Sequence, residues 1–205
     1  MASKNFSSAR RQQGFTLLEL LVVIAIIGIL LAITAPLSSG LTRGMRITQA
    51  TQAVVDELNF ARQTAAAQNT PVEVVFIQNS EGLFSGIGSR LVQRDGTTTW
   101  LRKITWLPEG VVLDTFDLDN YNNILSSTRG AAVVSAEPPD PRFNNYSVIR
   151  IRPSGEIDEV SASLKPSADW YVTVIYRQEL GALKFTNCGV IQINPLTART
   201  TVFRP

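Results

Sequence analysis

The feature that most constrains this chain is a long uncharged segment near its N-terminus. No charged residue lies between Glu19 and Arg43, and positions 20–33 are almost purely aliphatic. About 20 such residues span the hydrocarbon core of a bilayer as a helix. Three basic residues precede the segment, namely Lys4, Arg10 and Arg11. Because a basic flank is typical of the cytoplasmic side, the sequence predicts one membrane-spanning helix with a cytoplasmic N-terminus and an exported remainder.

Composition excludes most familiar catalytic and metal chemistry. Among its 205 residues the chain has no histidine and one cysteine, Cys188. Ser-His-Asp and Cys-His nucleophilic sites, zinc clusters built from His or Cys, and an intrachain disulfide are therefore excluded. We expect Cys188 to be a small buried hydrophobe, with a bridge to a second chain as the alternative. An enzyme of this composition would have to work with carboxylates, lysine or tyrosine. We expect a protein that is not an enzyme and that uses no cofactor, and a membrane-anchored enzyme remains an alternative only if carboxylates converge in a cleft.

The N-terminal segment has three interpretations. A cleaved secretory signal has an apolar core of about 7–15 residues that ends at a small-residue cleavage site, whereas this apolar run is longer and continues into helix-like sequence. A plain signal anchor does not explain Glu19, because a carboxylate at membrane depth costs about 2.5–3.5 kcal/mol. The third interpretation gives Glu19 a function that offsets this cost.

Residues 14–30, GFTLLELLVVIAIIGIL, resemble the class III signal of type IV prepilins and type II secretion pseudopilins. The resemblance implies that prepilin peptidase cuts between Gly14 and Phe15 and then N-methylates Phe15. It also implies that Glu19, four residues later, guides assembly with other pilins or pseudopilins in a filament. Glycine suits the position before the cut, because it readily leaves helical geometry for the extended backbone that a peptidase holds.

The same resemblance implies where the protein resides. It predicts a single-pass protein of the bacterial inner membrane, with a cytoplasmic N-terminus and a periplasmic head, that later enters a filament at the cell surface. We divide the chain into four segments: a cleaved basic leader (1–14), a transmembrane and filament-core half of a helix (15–42), an amphipathic half of the same helix (43–70) and a β-rich head (71–205).

Apolar residues between Ile47 and Ala65 recur at three- and four-residue intervals, as in an amphipathic helix. Pro36 marks a weak stretch because it lacks an amide hydrogen. Pro71 disfavours helical geometry in the residue before it, so we expect the helix to end near Gln68.

Short β-branched or aromatic runs separated by turn residues follow this helix and predict strands. They are 72–77, 89–92, 100–106, 111–113, 147–151, 170–176, 183–185, 189–193 and 200–203. The sequence therefore predicts an α+β fold, in which a long N-terminal helix, half of it transmembrane, packs on an antiparallel β-sheet or sandwich head.

Three further segments can be compared with particular groups within the prepilin and pseudopilin family. Residues 61–74, ARQTAAAQNTPVEV, are similar to the helix-to-strand junction of GspH/FimT-type minor pseudopilins, and residues 151–156, IRPSGE, are similar to their later hairpin. Residues 193–200, INPLTART, have Ala198 where that group has glycine in a Gly-Arg turn. The chain also resembles the prepilin-type group called Verru_Chthon cassette protein D.

Basic side chains of the predicted head form one patch, made of Arg142, Arg150 and Arg152. Arg150 and Arg152 alternate along a predicted strand and therefore share a face. Pilin-like DNA-uptake receptors hold phosphates with such arginines, so the alternative function is a pilin-fold binding module for DNA uptake or adhesion at the cell surface. The head from residue 71 onward has 13 basic and 14 acidic residues, a balance that disfavours nucleic acid as a partner.

An acidic loop offers a weak calcium candidate at Asp114, Asp117 and Asp119. It departs from the EF-hand pattern, because the sixth position from Asp117 is not glycine and Thr128 stands where a bidentate glutamate is needed. We therefore expect a solvated loop without a metal. The Gly-x-Gly sequence at 86–88 lacks the third glycine of a dinucleotide-binding motif and the helix that should follow it, so it predicts no nucleotide site.

Overall fold

The computed structural model describes residues 16–115, 122–125, 145–158, 170–182, 185 and 187–204, with the main chain alone at 32–41 and 122. The chain divides into two compact units, Met1–Thr42 and Arg43–Pro205. In chain order the helix and strands of the described residues are α1 (Leu17–Gln68), β1 (Val72–Gln78), β2 (Phe84–Val92), β3 (Thr98–Trp100), β4 (Thr105–Trp106), β5 (Val111–Leu113), β6 (Asn122–Asn123), β7 (Tyr146–Ile151), β8 (Trp170–Tyr176), β9 (Gly189–Ile193) and β10 (Thr200–Phe203). A short 3-10 helix, Arg177–Glu179, follows β8.

One face of α1 in the second unit contributes to the main hydrophobic core. Six of its seven buried apolar residues recur every three or four positions, namely Ile47, Ala50, Val54, Leu58, Ala61 and Ala65, and the seventh, Val55, lies next to Val54. This spacing is that of an amphipathic helix, so the prediction for this segment is confirmed. The same residues belong to one cluster with side chains from both β-sheets.

Three consecutive residues end α1 at Gln68. Asn69 adopts a left-handed backbone with φ of 48°, which asparagine tolerates better than most residues. The Thr70 amide then donates to the Ala65 carbonyl at 3.3 Å, as in a Schellman cap. Pro71 cannot continue the helix. The predicted helix end near Gln68 is confirmed.

The first sheet has the strand order β3-β2-β1-β7, with β4 also paired to β2. All of these pairs are antiparallel. Because side chains alternate along a strand, Val74 and Phe76 of β1 belong to the main core, whereas Val75 and Ile77 belong to a second cluster. One face of this sheet therefore packs with α1.

The second sheet has the order β10-β9-β8-β5, and β6 pairs with β8 in the parallel sense. Val172 and Val174 of β8 belong to the main core with α1, and Ile175 belongs to a third cluster that contains Cys188. Both sheets thus bury one face with α1, which is the predicted α+β arrangement. The parallel β6 is an exception to the antiparallel pairing that we predicted.

A buried carboxylate also links α1 to the first sheet. Glu57 on α1 accepts a hydrogen bond from the Ser89 hydroxyl on β2 at 2.5 Å and forms an ion pair with Arg102. The Arg102 guanidinium lies over the Phe60 ring, 4.1 Å from its centroid. Because a buried charge is tolerated when it is paired and hydrogen-bonded, these contacts explain how Glu57 can be buried on the core side of the helix.

Several strand boundaries differ from the prediction. The run 100–106 is interrupted and contributes to two strands, and β2 begins at Phe84 rather than Ser89. The extension of β2 passes through the Gly-x-Gly sequence, where a Cβ on Gly86 would be 2.8 Å from the Trp106 ring and one on Gly88 would be 2.9 Å from the Trp100 ring. These glycines therefore make room for two tryptophan rings. Of the predicted strand 183–185, only Phe185 lies within the described residues, and it is in no strand.

Candidate functional site

Thr16 and Glu19 together form the start of α1. The Glu19 amide donates to Thr16 Oγ1 at 3.2 Å, while Glu19 Oε2 accepts hydrogen bonds from the Thr16 amide and the Thr16 hydroxyl, each at 2.9 Å. This reciprocal pair is the capping box of a Thr-x-x-Glu sequence. A negative charge there is also favoured by the positive end of the helix dipole. Glu19 therefore helps to define where the helix begins.

Beyond this cap, α1 exposes a long series of apolar side chains. Twelve leucine, isoleucine and valine side chains between positions 17 and 31 are 47% to 84% exposed. Among the described residues, no helical stretch is both long and apolar enough to cross a bilayer. A contiguous exposed apolar surface marks a contact with a membrane or with another protein.

Of the three residues predicted for processing and assembly, Gly14 and Phe15 lie outside the described residues. Glu19 lies within them, and its two carboxylate oxygens differ. Oε2 is engaged by Thr16, whereas Oε1 makes no hydrogen bond to any residue in the described part of the chain. One oxygen of Glu19 is thus available to a group from another molecule.

Two arginines of the predicted basic patch, Arg150 and Arg152, form ion pairs with carboxylates of this chain. Glu73 on β1 lies opposite Arg90 on β2 and opposite Arg150 on β7. Glu73 Oε2 is 2.7 Å from Arg90 Nε, and Glu73 Oε1 is 2.7 Å from Arg150 Nη2. Arg152 follows the end of β7 instead of lying within it, and it pairs with Asp158. The prediction that Arg150 and Arg152 contact an anion stays a prediction. An anion at these arginines would have to compete with the carboxylates that already pair with them.

The remaining predicted patch and calcium residues, Arg142, Asp117 and Asp119, lie outside the described residues. Asp114 is buried, and its amide donates to the Thr173 carbonyl at 2.8 Å. Across the described ranges, no group of three His, Cys, Asp or Glu side chains is placed to hold a metal ion. The calcium candidate therefore gains no support from Asp114.

Cys188 is buried beside Val112 and Ile175 in the third cluster. Burial raises the pKa of its thiol above the ordinary value, and the negative charge of Glu179 raises it further. This environment matches the interpretation of Cys188 as a small buried hydrophobe.

A basic cavity that the sequence did not predict lies where three segments of the second unit meet. Its volume is about 340 Å³. Its lining consists of Arg62, Gln63 and Ala66 from α1, Pro153, Ser154 and Gly155 after β7, and Thr197 and Arg199 before β10. Arg62 and Arg199 are 137 positions apart in the sequence. Only the folded arrangement brings them to one cavity.

Comparison with known proteins identifies one family feature and, among solved structures, three similar chains. The prokaryotic N-terminal methylation motif matches residues 9–35. No curated protein matches the chain. One similar structure is the minor pseudopilin EpsH from the type 2 secretion system of Vibrio cholerae, with 12% identity and a TM-score of 0.46 over 78% of this chain and 98% of that one. A crystal structure of EpsH from the same organism gives 11% identity and a TM-score of 0.45 over 79% of this chain and 96% of that one.

The matched range, residues 9–35, includes the predicted cut site, the capping box and the whole exposed aliphatic series between positions 17 and 31. The chain therefore carries a prokaryotic N-terminal methylation motif.

Proposed function

We propose that the chain is a pilin or pseudopilin subunit of a type IV pilus or type II secretion filament, with a structural role and no enzymatic one. The observation that carries the proposal is the methylation motif over residues 9–35. The exposed aliphatic series between positions 17 and 31 supports it, because a subunit of this kind needs an apolar surface for both membrane and filament. Among pseudopilins we favour the GspH/FimT type on the sequence of residues 61–74.

Processing by prepilin peptidase is the first step of this function. Cleavage between Gly14 and Phe15 removes the basic leader and leaves the aliphatic helix in the subunit. Before assembly the subunit resides in the inner membrane, with its N-terminus in the cytoplasm and its head in the periplasm. Thr16 and Glu19 follow the cut, so the mature chain keeps both residues of the capping box.

Glu19 then pairs subunits in the filament. Cleavage gives Phe15 a new α-amino group, which is mostly protonated at neutral pH. Glu19 Oε2 is engaged by Thr16, so Oε1 is the oxygen that accepts the amine of a neighbouring subunit. Pairing the two charges in an apolar filament interior is favoured, because either one left alone would be buried without compensation. The pair sets the axial register of the two subunits.

Two substitutions separate the charge of Glu19 from its capping role. Glu19→Gln keeps the capping box, since glutamine also serves at this position, but removes the charge. Thr16→Ala removes the hydroxyl of the cap and keeps the charge. We expect Glu19→Gln to be cleaved normally but to be incorporated into filaments at least about tenfold less than wild type, because a factor of ten corresponds to only about 1.4 kcal/mol. We expect Thr16→Ala to be incorporated within about threefold of wild type.

The measurement is the amount of each variant that co-purifies with sheared filaments, divided by the cleaved subunit in the membrane. Normal incorporation of Glu19→Gln would refute the charge pairing. Loss in Thr16→Ala together with normal incorporation of Glu19→Gln would instead assign the role of Glu19 to the cap.

A further inference from the structure

We propose that the cavity lined by Arg62 and Arg199 is a binding site for a carboxylate group. The site lies outside the N-terminal motif, and its chemistry does not depend on the pilin assignment. It also differs from the basic patch that the sequence suggested.

Main-chain contacts hold the walls of the cavity in place. After β7, the Arg152 amide donates to the Glu156 carbonyl at 2.8 Å and the Gly155 amide donates to the Arg152 carbonyl at 2.8 Å, which closes a turn. Gly155 has φ of +87°, and a Cβ at this position would lie 3.4 Å from the Thr197 carbonyl oxygen. The turn after β7 therefore packs directly against the turn before β10, and the cavity is a built feature of the fold.

Among the described residues, no carboxylate pairs with the two arginines of the cavity. Its eight lining residues include two arginines and no carboxylate. Within the described residues neither Arg62 nor Arg199 has an ion pair, in contrast to Arg150 and Arg152. Arg62 Nε is buried and has no hydrogen-bond partner among the described residues. A buried N–H group without an acceptor is unfavourable, and an oxyanion in the cavity would supply the acceptor.

A carboxylate fits this arrangement in geometry and polarity. Nε and one Nη of a guanidinium donate in parallel, which matches the two oxygens of a planar carboxylate. Ser154 Oγ accepts a hydrogen bond from the Glu156 amide at 3.4 Å, so its own hydroxyl hydrogen can be donated to a ligand. Ala66 and Pro153 give the cavity an apolar portion for the carbon atoms that bear the carboxylate.

A nucleic-acid strand fits less well. It requires a continuous basic stripe, whereas carboxylates already pair with Arg150 and Arg152 beside this region. Two guanidinium groups that have no ion pair in the described part of the chain share one cavity, and they match a single small anion. The carboxylate can come from a free metabolite or from an acidic side chain of a neighbouring filament subunit, and the second source rests on the proposed function.

The test uses the full-length chain in detergent micelles, labelled with ¹⁵N and titrated with sodium acetate against sodium chloride at equal ionic strength. The Nε–Hε signals of Arg62 and Arg199 are identified by their loss in Arg62→Gln and Arg199→Gln. We expect both signals to shift and saturate with acetate and not with chloride. We expect Arg199→Gln to weaken acetate binding, seen at Arg62, at least about fivefold. Arg177→Gln is the matched control, because Arg177 is exposed, pairs with Glu81 and lies outside the cavity; it should leave acetate binding unchanged.

Two results would overturn the proposal. One is a linear shift that is the same with acetate and chloride, and the other is binding of inorganic phosphate at least tenfold tighter than acetate. A second arm identifies the source of the carboxylate. If a neighbouring subunit supplies it, Arg62→Gln combined with Arg199→Gln will be cleaved normally and incorporated less into filaments. If incorporation is normal while the wild-type monomer binds acetate, the source is a free carboxylate.

Discussion

Glu73 is a single residue on which much of the first sheet depends. It is fully buried, and Arg90, its partner on the adjacent strand, is 1% exposed. The three charged residues Arg90, Glu73 and Arg150 lie directly opposite one another on three neighbouring strands. Removing one partner of a buried ion pair leaves an uncompensated charge in the interior, and this is more harmful than replacing the whole group.

We therefore expect Glu73→Ala to lower the free energy of unfolding by about 3–5 kcal/mol. The measurement is urea denaturation followed by circular dichroism. Glu81→Ala is the matched control, because it breaks an ion pair with Arg177 in which both side chains are about half exposed. Such surface pairs contribute about 0–1 kcal/mol. Equal effects of the two substitutions would contradict the role assigned to Glu73.

Cys188 gives a prediction that depends on pH. Burial and then Glu179 raise the pKa of its thiol in the folded state, so the native protein keeps this proton at pH values where the unfolded chain has lost it. The resulting stabilisation is complete below the ordinary thiol pKa and is lost as pH rises above it. At pH 8 we expect iodoacetamide to modify the native chain at least about a hundredfold more slowly than the urea-unfolded chain, because the thiolate is the reactive form.

Mass spectrometry of the alkylated protein checks this rate. A non-reducing gel of purified filaments checks the alternative of a bridge between chains, for which we expect only monomer. Fast native alkylation, or a dimer that reducing agent removes, would contradict the buried, unpaired state of Cys188.

Features of single residues are open to prediction where their cause is local in sequence. The Thr-x-x-Glu pattern is sufficient to suggest a capping box, although the sequence drew attention to Glu19 for its charge alone. The interaction of Arg150 with Glu73 was not predicted, because it depends on the register between strands that are 77 positions apart. The cavity of Arg62 and Arg199 was missed for the same reason, since its lining comes from three separate segments.

Helix α1 is the element with the clearest sequence signal. Its amphipathic spacing and its end at Gln68 were both predicted, and Pro36 lies within it without ending it. Strand β2 was predicted too short because glycine weakens a strand signal. The rings that pack against Gly86 and Gly88 belong to Trp106 and Trp100, which come later in the chain. The close approach of β9 to α1 also depends on tertiary structure, so the local sequence does not predict it. A Cβ on Gly189 would be 2.2 Å from Thr51 Oγ1.

The contribution of α1 to the head can be measured by truncation. A protein that begins at Arg43 keeps the buried apolar residues of α1 between 47 and 65, whereas one that begins at Pro71 lacks them and exposes the inner faces of both sheets. We expect the first to be a soluble, cooperatively unfolding monomer and the second to aggregate. Gel filtration and circular dichroism distinguish the two. If the protein beginning at Arg43 aggregates, residues N-terminal to position 43 are required for the core.

At the scale of the whole molecule, the two units present different surfaces. In unit Met1–Thr42, the described side chains between positions 17 and 31 are exposed and almost entirely apolar, and their opening turn carries Glu19. In unit Arg43–Pro205, a common core joins helix and sheets, and charged residues such as Glu57 and Glu73 are buried with partners. The first unit is therefore suited to contacts with other molecules, and the second is suited to fold as a head.

Cleavage at Gly14 is the most direct test that this chain is a prepilin-type subunit. The measurement is the intact mass of the chain purified from membranes of cells that express it with prepilin peptidase. We predict a mature chain that begins at Phe15 and carries one added methyl group, while Gly14→Val, which alters the residue before the cut, remains at the unprocessed mass. A wild-type chain that keeps residues 1–14 in the presence of active peptidase would contradict the assignment.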